Sequence, residues 1–134
     1  MSDAFLRVEH FGLAAVDPRR LADWYLRVLG AREVWSDGQS PPAVFIEVPG
    51  GLVLGIYAAG APSNRTADNR VAGWRHLALR VGNLEAAQEL LAARGVVFHE
   101  PPKAAGGGGR VQFFGDAEGN LLHLVERTPD SPLR

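Results

Sequence analysis

The chain has 134 residues, 46% of them hydrophobic and 22% charged, proportions that suit a single globular domain and exclude a fibre or a disordered chain. A formal net charge of −1 and a pI near 6.4, with scattered arginines, leave no basic stripe for nucleic acid or an anionic membrane. The absence of cysteine removes disulfides, thiolate nucleophiles and zinc-finger sites, and no apolar run approaches the roughly 20 residues of a membrane span, so a cytoplasmic protein is expected.

Leu6 to Ala15 reads as a strand. Asp17-Pro18 then supplies a helix start, an N-cap acceptor followed by the one helical position where proline is harmless. Leu21, Trp24, Tyr25, Val28 and Leu29 fall at helical spacing, and Gly30 ends the run. Strands are expected at Arg32 to Trp35, Ala43 to Val48 and Leu52 to Ala58, the last two joined by the tight turn Pro49-Gly50-Gly51. Residues 59–73, with Pro62, Ser63, Asn64 and Asn69, are polar and patternless and read as a connection. Strand Trp74 to Val81 follows, then Asn83 as N-cap of a helix with Leu84, Ala87, Leu90 and Leu91 on one face, closed by Gly95. A short strand is expected at Val96 to His99, while Pro101 to Gly109, with four consecutive glycines, reads as an irregular loop or lid. Arg110 to Phe114 and Leu121 to Glu126 are strands around the turn Asp116-Ala117-Glu118-Gly119, and a proline-broken tail, residues 128–134, leans towards disorder.

The order βαβββ therefore occurs twice, at about residues 6–58 and 74–127. A shift of 76 − 10 = 66 lays His76 on His10, Leu77 on Phe11, Leu79 on Leu13 and Asn83 on Asp17. In the final strands a shift of 123 − 55 = 68 lays His123 on Gly55. The first and last strands of the two modules thus define four equivalent positions, His10, Gly55, His76 and His123, and three are histidine. Side chains alternate at period two, so His10 shares a face with Val8, Gly12 and Ala14, His76 with Trp74, Ala78 and Arg80, and His123 with Leu121 and Val125. The leucines between them are left for the helices. His99 lies outside this pattern and reads as an ordinary residue.

With these residues assembled, the chain resembles the vicinal oxygen chelate superfamily, which includes glyoxalase I, methylmalonyl-CoA epimerase, extradiol dioxygenases, fosfomycin-resistance enzymes and bleomycin-binding proteins. The resemblance rests on Val8-Glu9-His10-Phe11-Gly12-Leu13, on Trp24-Tyr25 followed by Val28-Leu29-Gly30, on His76-Leu77-Ala78-Leu79, and on Asp116-Ala117-Glu118-Gly119-Asn120 leading to Leu122-His123-Leu124. It implies an α+β fold in which two tandem βαβββ modules form a curved, partly open β-barrel-like cavity. It maps His10, His76 and His123 onto the positions that hold a divalent metal, and it implies a homodimer in which His10 joins the other two histidines across the interface.

Two departures bear on the chemistry. Gly55 and His123 stand where glyoxalase I-like members carry glutamates, which weighs against their isomerase reaction. Gly55 itself marks either close backbone approach or open volume for a ligand. Three neutral imidazoles suit zinc, iron, nickel or copper better than magnesium or calcium and leave positions open for water or substrate, and the expected cofactor is a divalent metal, zinc, iron, nickel or manganese. The expected function is a metal-dependent enzyme of the glyoxalase, lyase or dioxygenase type acting on a small oxygen-bearing metabolite. The alternative is a metal-free small-molecule binding protein of the bleomycin-resistance type. Tyr57 and Trp74 are candidate substrate contacts, and Tyr57 and Glu47 candidate catalytic groups.

Overall fold

The computed structural model describes residues 6–62 and 66–133. The first five residues, Ser63 and Asn64 of the expected connection, and Arg134 at the end of the tail lie outside the described residues. The chain separates into two compact units, residues 1–62 and 63–134. Each is an α+β module with a four-stranded mixed sheet, and neither sheet closes into a barrel.

The first unit runs β1 (Phe11–Ala15), α1 (Pro18–Leu29), β2 (Arg32–Ser36), β3 (Val44–Glu47) and β4 (Val53–Ala58). The sheet order is β1-β4-β3-β2, with β1 parallel to β4 and the other pairs antiparallel. Asp17 caps α1 by accepting the Arg20 amide at 3.1 Å, Pro18 occupies the first turn, and Gly30 ends the helix at φ 72°, where other residues would be strained. Leu21, Ala22, Tyr25 and Val28 bury one stripe of the helix against β3 and β4, whose Val44, Ile46, Leu54 and Ile56 form the other half of the core. The expected strand at Leu6 to Ala15 begins only at Phe11, because β1 pairs with β4 from Leu54 onward and residues 6–10 have no ladder partner. The turn between β3 and β4 forms as expected, with Gly50 and Gly51 both at φ 104° and Val48 donating to the Leu52 carbonyl at 2.8 Å.

The second unit runs β5 (His76–Arg80), α2 (Leu84–Ala93), β6 (Lys103–Ala104), β7 (Arg110–Gly115) and β8 (Leu121–Glu126). Its sheet order, β5-β8-β7-β6, repeats the first unit's topology with β5 parallel to β8. Asn83 caps α2 by accepting the Ala86 amide at 2.9 Å, and Glu126 at the end of β8 accepts the Leu84 amide at 2.8 Å, so helix and sheet are tied at one corner. Leu84 and Leu91 are buried, but Leu90 is half exposed, because one residue before Leu91 is a 100° rotation off the buried stripe.

Three sequence expectations are corrected in this unit. Trp74 and Arg75 precede β5, which begins at His76. Val96 to His99 is not a strand; Val96 instead donates back to the Leu91 carbonyl, and Phe98 packs on Phe114 at 5.6 Å between ring centroids. The unit's second strand comes from the stretch expected to be irregular, where Lys103 and Ala104 pair with Val111 and Arg110. The glycine run is the turn of that hairpin. Arg127 donates to the Gly106 and Gly108 carbonyls and Ser131 to that of Gly107, so the tail clasps the loop. Among the described residues no helix is long and apolar enough to cross a membrane.

Candidate functional site

In the first unit the face turned away from α1 carries Gly12, Ala14, Phe45, Glu47, Gly55 and Tyr57, as the registers Gly12↔Gly55, Ala14↔Tyr57 and Phe45↔Gly55 require. His10 lies just before β1 and its ring stands edge-on to Phe45, with centroids 5.1 Å apart. The volume over Gly55 is not open. A Cβ added there would meet Phe45 Cε1 at 2.9 Å and His10 Cδ2 at 3.3 Å. Of the two sequence readings of Gly55, close approach is the one realised: the glycine seats two rings. Tyr57 leans over Gly12 in the same way, 3.4 Å from where a Cβ would stand, and Trp35 extends the aromatic surface at 5.8 Å from Phe45. Glu47 reaches the edge of this face and accepts from Arg32 Nε at 3.1 Å, an ion pair with no approach to a proton-transfer partner.

In the second unit β5 and β8 bring two histidines together. The register sets Ala78 opposite His123 and His76 opposite Leu121, so the imidazoles are diagonal neighbours on one face, with ring centroids 4.6 Å apart. Phe113, directly across from His123 on β7, lies 4.9 Å from that ring and 5.7 Å from His76. The β7–β8 register is set by Asp116. Its Oδ1 accepts the amides of Glu118 and Asn120 at 2.9 and 3.0 Å, and Asn120 Nδ2 reaches Oδ2 at 2.8 Å. The Asp116 to Asn120 motif is thus a turn lock that delivers Phe113 and His123 to each other.

The protonation pattern of the imidazoles follows from their partners. His123 Nδ1 faces the Leu124 carbonyl at 3.2 Å; a carbonyl only accepts, so Nδ1 carries the proton and Nε2 keeps its lone pair. His76 Nδ1 donates to Asn69 Oδ1 at 2.8 Å, and His10 Nδ1 to Glu9 Oε1 at 2.8 Å, with the same consequence. Burial, opposed by the Leu124 hydrogen bond and aided by the nearby His76 and Arg127, pushes the His123 pKa down, which favours the neutral, ligating form. In its neutral form each of the three imidazoles therefore presents an Nε2 lone pair, as a metal-ligating histidine with an outer hydrogen-bond partner does. Imidazole nitrogens suit a borderline divalent metal, and two of them, from His76 and His123, stand together in this unit. Among the described residues of this unit no third His, Asp or Glu joins the His76 and His123 pair in a metal-binding cluster.

Beside the pair, a cleft of about 600 Å³ is lined by Asp68, Asn69, Arg70, Glu100, Lys103 and Phe113, among others. Lys103 holds its ammonium 4.8 Å from the centroid of Phe113, on the histidine face. Trp74 is 85% exposed and does not line this cleft. Asn69, Lys103, Phe113, Phe45 and Trp35 escaped the sequence reading. Gln112, 2% exposed, faces the helix side and donates to the Glu100 carbonyl at 3.0 Å, leaving Phe113 for the site.

Two open βαβββ units of identical strand order define a paired-module protein. The family model for the Glyoxalase/Bleomycin resistance protein/Dioxygenase superfamily matches residues 7–124, and the chain belongs to that superfamily. No curated protein matches the sequence. Among solved structures, a glyoxylase/bleomycin resistance protein/dioxygenase domain from Frankia sp. EAN1pec is 24% identical, with a TM-score of 0.70 over 93% of this chain and 100% of that one. A mutant of the fosfomycin resistance protein FosX from Listeria monocytogenes, in complex with Mn(II) and 1S,2S-dihydroxypropylphosphonic acid, is 20% identical with a TM-score of 0.70, covering 97% of each chain. TioX from Micromonospora sp. ML1 is 21% identical with a TM-score of 0.64, over 91% of this chain and 97% of that one. These likenesses establish the fold.

Proposed function

We propose that the protein is a metal-dependent enzyme acting on a small oxygen-bearing metabolite, with His10, His76 and His123 as the metal ligands. The observation that carries this reading is the His76 and His123 pair, two rings 4.6 Å apart whose Nδ1 atoms are committed to acceptors so that both Nε2 lone pairs remain. FosX, a structural neighbour, holds Mn(II) together with a small dihydroxy phosphonate, which supports a divalent metal and an oxygen-rich, anionic ligand by analogy. A bound metal would supply Lewis acidity to adjacent oxygens of the ligand and acidify a coordinated water.

The chain's own residues do the rest. Burial keeps the His123 imidazole neutral, and Phe113 holds it against His76. Lys103, on the same face, offers a cation to the ligand's charged end. Glu47 is engaged by Arg32, and Tyr57 is the better placed of the two candidates from the first unit, as a hydroxyl lying over glycine. With neither glutamate of the glyoxalase I pattern present, a lyase- or dioxygenase-type reaction suits the site better than proton shuttling on one carbon. His10 completes the ligand set from a homodimer partner in this reading, and a monomeric mass in solution would remove that part of it. The reading as a whole is tested by elemental analysis of protein purified without a histidine tag: retention or stoichiometric uptake of zinc, iron, nickel or manganese is expected, and no binding on titration sinks it.

One observation favours the second reading, a metal-free binding protein of the bleomycin-resistance type: the histidine pair has no third ligand within its own unit among the described residues. Thermal unfolding that is indifferent to chelator and to every added metal, yet responds to small organic ligands, would select it.

A further inference from the structure

We propose that Asn69 is a positioning residue: it fixes the tautomer and direction of the His76 imidazole, so that a residue of the connection between the modules controls a ligand position on β5. The inference rests on the metal reading above for its consequence, but not for its geometry.

The three histidines differ in what holds them. His123 Nδ1 uses the Leu124 carbonyl, a backbone acceptor that no side-chain substitution removes. His10 uses Glu9, an exposed neighbour in sequence. His76 alone depends on a side chain distant in sequence, Asn69, at 2.8 Å. The turn that carries it is braced at Asp68. Asp68 Oδ1 accepts the Arg70 amide at 3.1 Å, the Val71 amide donates to the Asp68 carbonyl at 3.2 Å, and Arg75 Nη1 donates to the same carbonyl at 3.3 Å. Two consecutive residues entering β5, Arg75 and His76, therefore grip two consecutive residues of the turn, Asp68 and Asn69. An Asn oxygen accepts a proton but supplies none, so with Oδ1 toward the ring a neutral His76 carries its hydrogen on Nδ1 and leaves Nε2 bare. Without an acceptor, imidazole favours hydrogen on Nε2, the form that cannot ligate through that atom. Asp68, Asn69 and Arg70 also line the 600 Å³ cleft, so whatever enters it touches the residue that sets His76.

Long-range proton–nitrogen correlation NMR of the metal-free protein, at a pH of about 8 where free imidazole is neutral, reads the tautomer directly. Wild type is expected to show His76 protonated at Nδ1, Asn69→Ala to move it to Nε2, and Asn69→Asp, which keeps the acceptor, to restore Nδ1. His123 should not change in any variant. Zinc titration should then show Asn69→Ala weaker than wild type by about 10–100-fold, with Asn69→Asp close to wild type. Wild-type His76 protonated at Nε2, or Asn69→Ala retaining the Nδ1 form, overturns the inference. So does equal zinc affinity in wild type and Asn69→Ala. If wild type binds no metal at all, the proposed function fails instead, and the tautomer measurement alone decides the role of Asn69.

Discussion

The two units share one topology yet treat the face away from their helices differently. In the first, Gly12 and Gly55 lie side by side in register and are roofed by Tyr57, Phe45 and His10, so the missing side chains are replaced by rings from neighbouring strands. In the second, the equivalent strands carry His76 and His123, which pair with each other and with Phe113 beside an open cleft. Duplicating a βαβββ unit gives four equivalent positions, and the two units fill them differently: the face of one carries mainly rings packed over glycine, that of the other a histidine pair. What differs is the side chain on one residue of the final strand, Gly55 against His123, and the packing that each permits.

The largest effect expected from breaking this division is on metal affinity. His76→Ala and His123→Ala should each weaken zinc binding by more than about 100-fold, beyond the range of an outer-partner loss, as read by competition titration. His10→Ala should match them. If His10→Ala binds zinc as wild type does while the other two fail, His10 is not a ligand. His123→Ala should also lower the melting temperature, since that ring is 5% exposed, whereas His76→Ala should not, its side chain being exposed.

Next in size is an attempt to make the first unit resemble the second. Gly55→Glu restores the carboxylate of the glyoxalase I-like pattern, but its Cβ must displace Phe45 from 2.9 Å. Overpacking of this kind costs about 1–3 kcal/mol, measured by denaturant unfolding, and metal affinity should not improve. Trimming Phe45 in a Gly55→Glu/Phe45→Ala double variant should recover part of the loss. A stable single variant with tighter metal binding would mean that the roof over Gly55 is not built as described.

The two hairpins leading into the final strands sharpen the comparison further. The first turns on Gly50 and Gly51 with no side-chain lock, while the second turns on Asp116, which gathers two backbone amides and the Asn120 side chain. Asp116→Ala leaves those amides without their acceptor and should cost about 1–3 kcal/mol. It should also broaden the His123 and Phe113 resonances, because the register that pairs them is loosened. A loss confined to stability, with both resonances unchanged, would separate the turn from the site.

Much of this arrangement is legible in the sequence because local chemistry and the repeat agree. Asp17-Pro18 with Gly30, and Asn83 with its leucines, mark helices where the backbone leaves orphan amides and a left-handed end. The pairing of His76 with His123 follows from period-two alternation once the strands are placed. What was missed depends on partners that no local pattern encodes. Residues 6–10 alternate like a strand but find no ladder, and the β6 pair at Lys103 and Ala104 forms beside a glycine run because the tail closes the turn. Gln112 lies buried on the helix side, where its amide finds the Glu100 carbonyl. Asn69 looks like any loop asparagine, and only the fold brings it to His76.

The smallest effect concerns how the two helices begin. α1 is capped by Asp17 alone, whereas α2 has Asn83 together with Glu126, which accepts the Leu84 amide and Arg110 Nη2 at 3.0 Å; Arg110 also pairs with Glu85 at 2.8 Å. The Leu84 amide and then Arg110 hold the Glu126 carboxyl below the usual carboxylate range, and Arg110 does the same to Glu85. A carboxylate depressed in the folded state stabilises fully above its unfolded value of about 4.5, and the contribution disappears as pH falls through the lower folded value. Melting temperature measured from pH about 7 downward should therefore fall more steeply below pH about 4.5 in wild type than in Glu126→Gln. The variant should start lower at neutral pH and converge on wild type in acid, because protonation removes from wild type what the substitution has already taken away. Salt should shrink the neutral-pH gap, since these groups face solvent. Parallel curves at all pH values would assign α2's start to Asn83 alone and make the two helices alike.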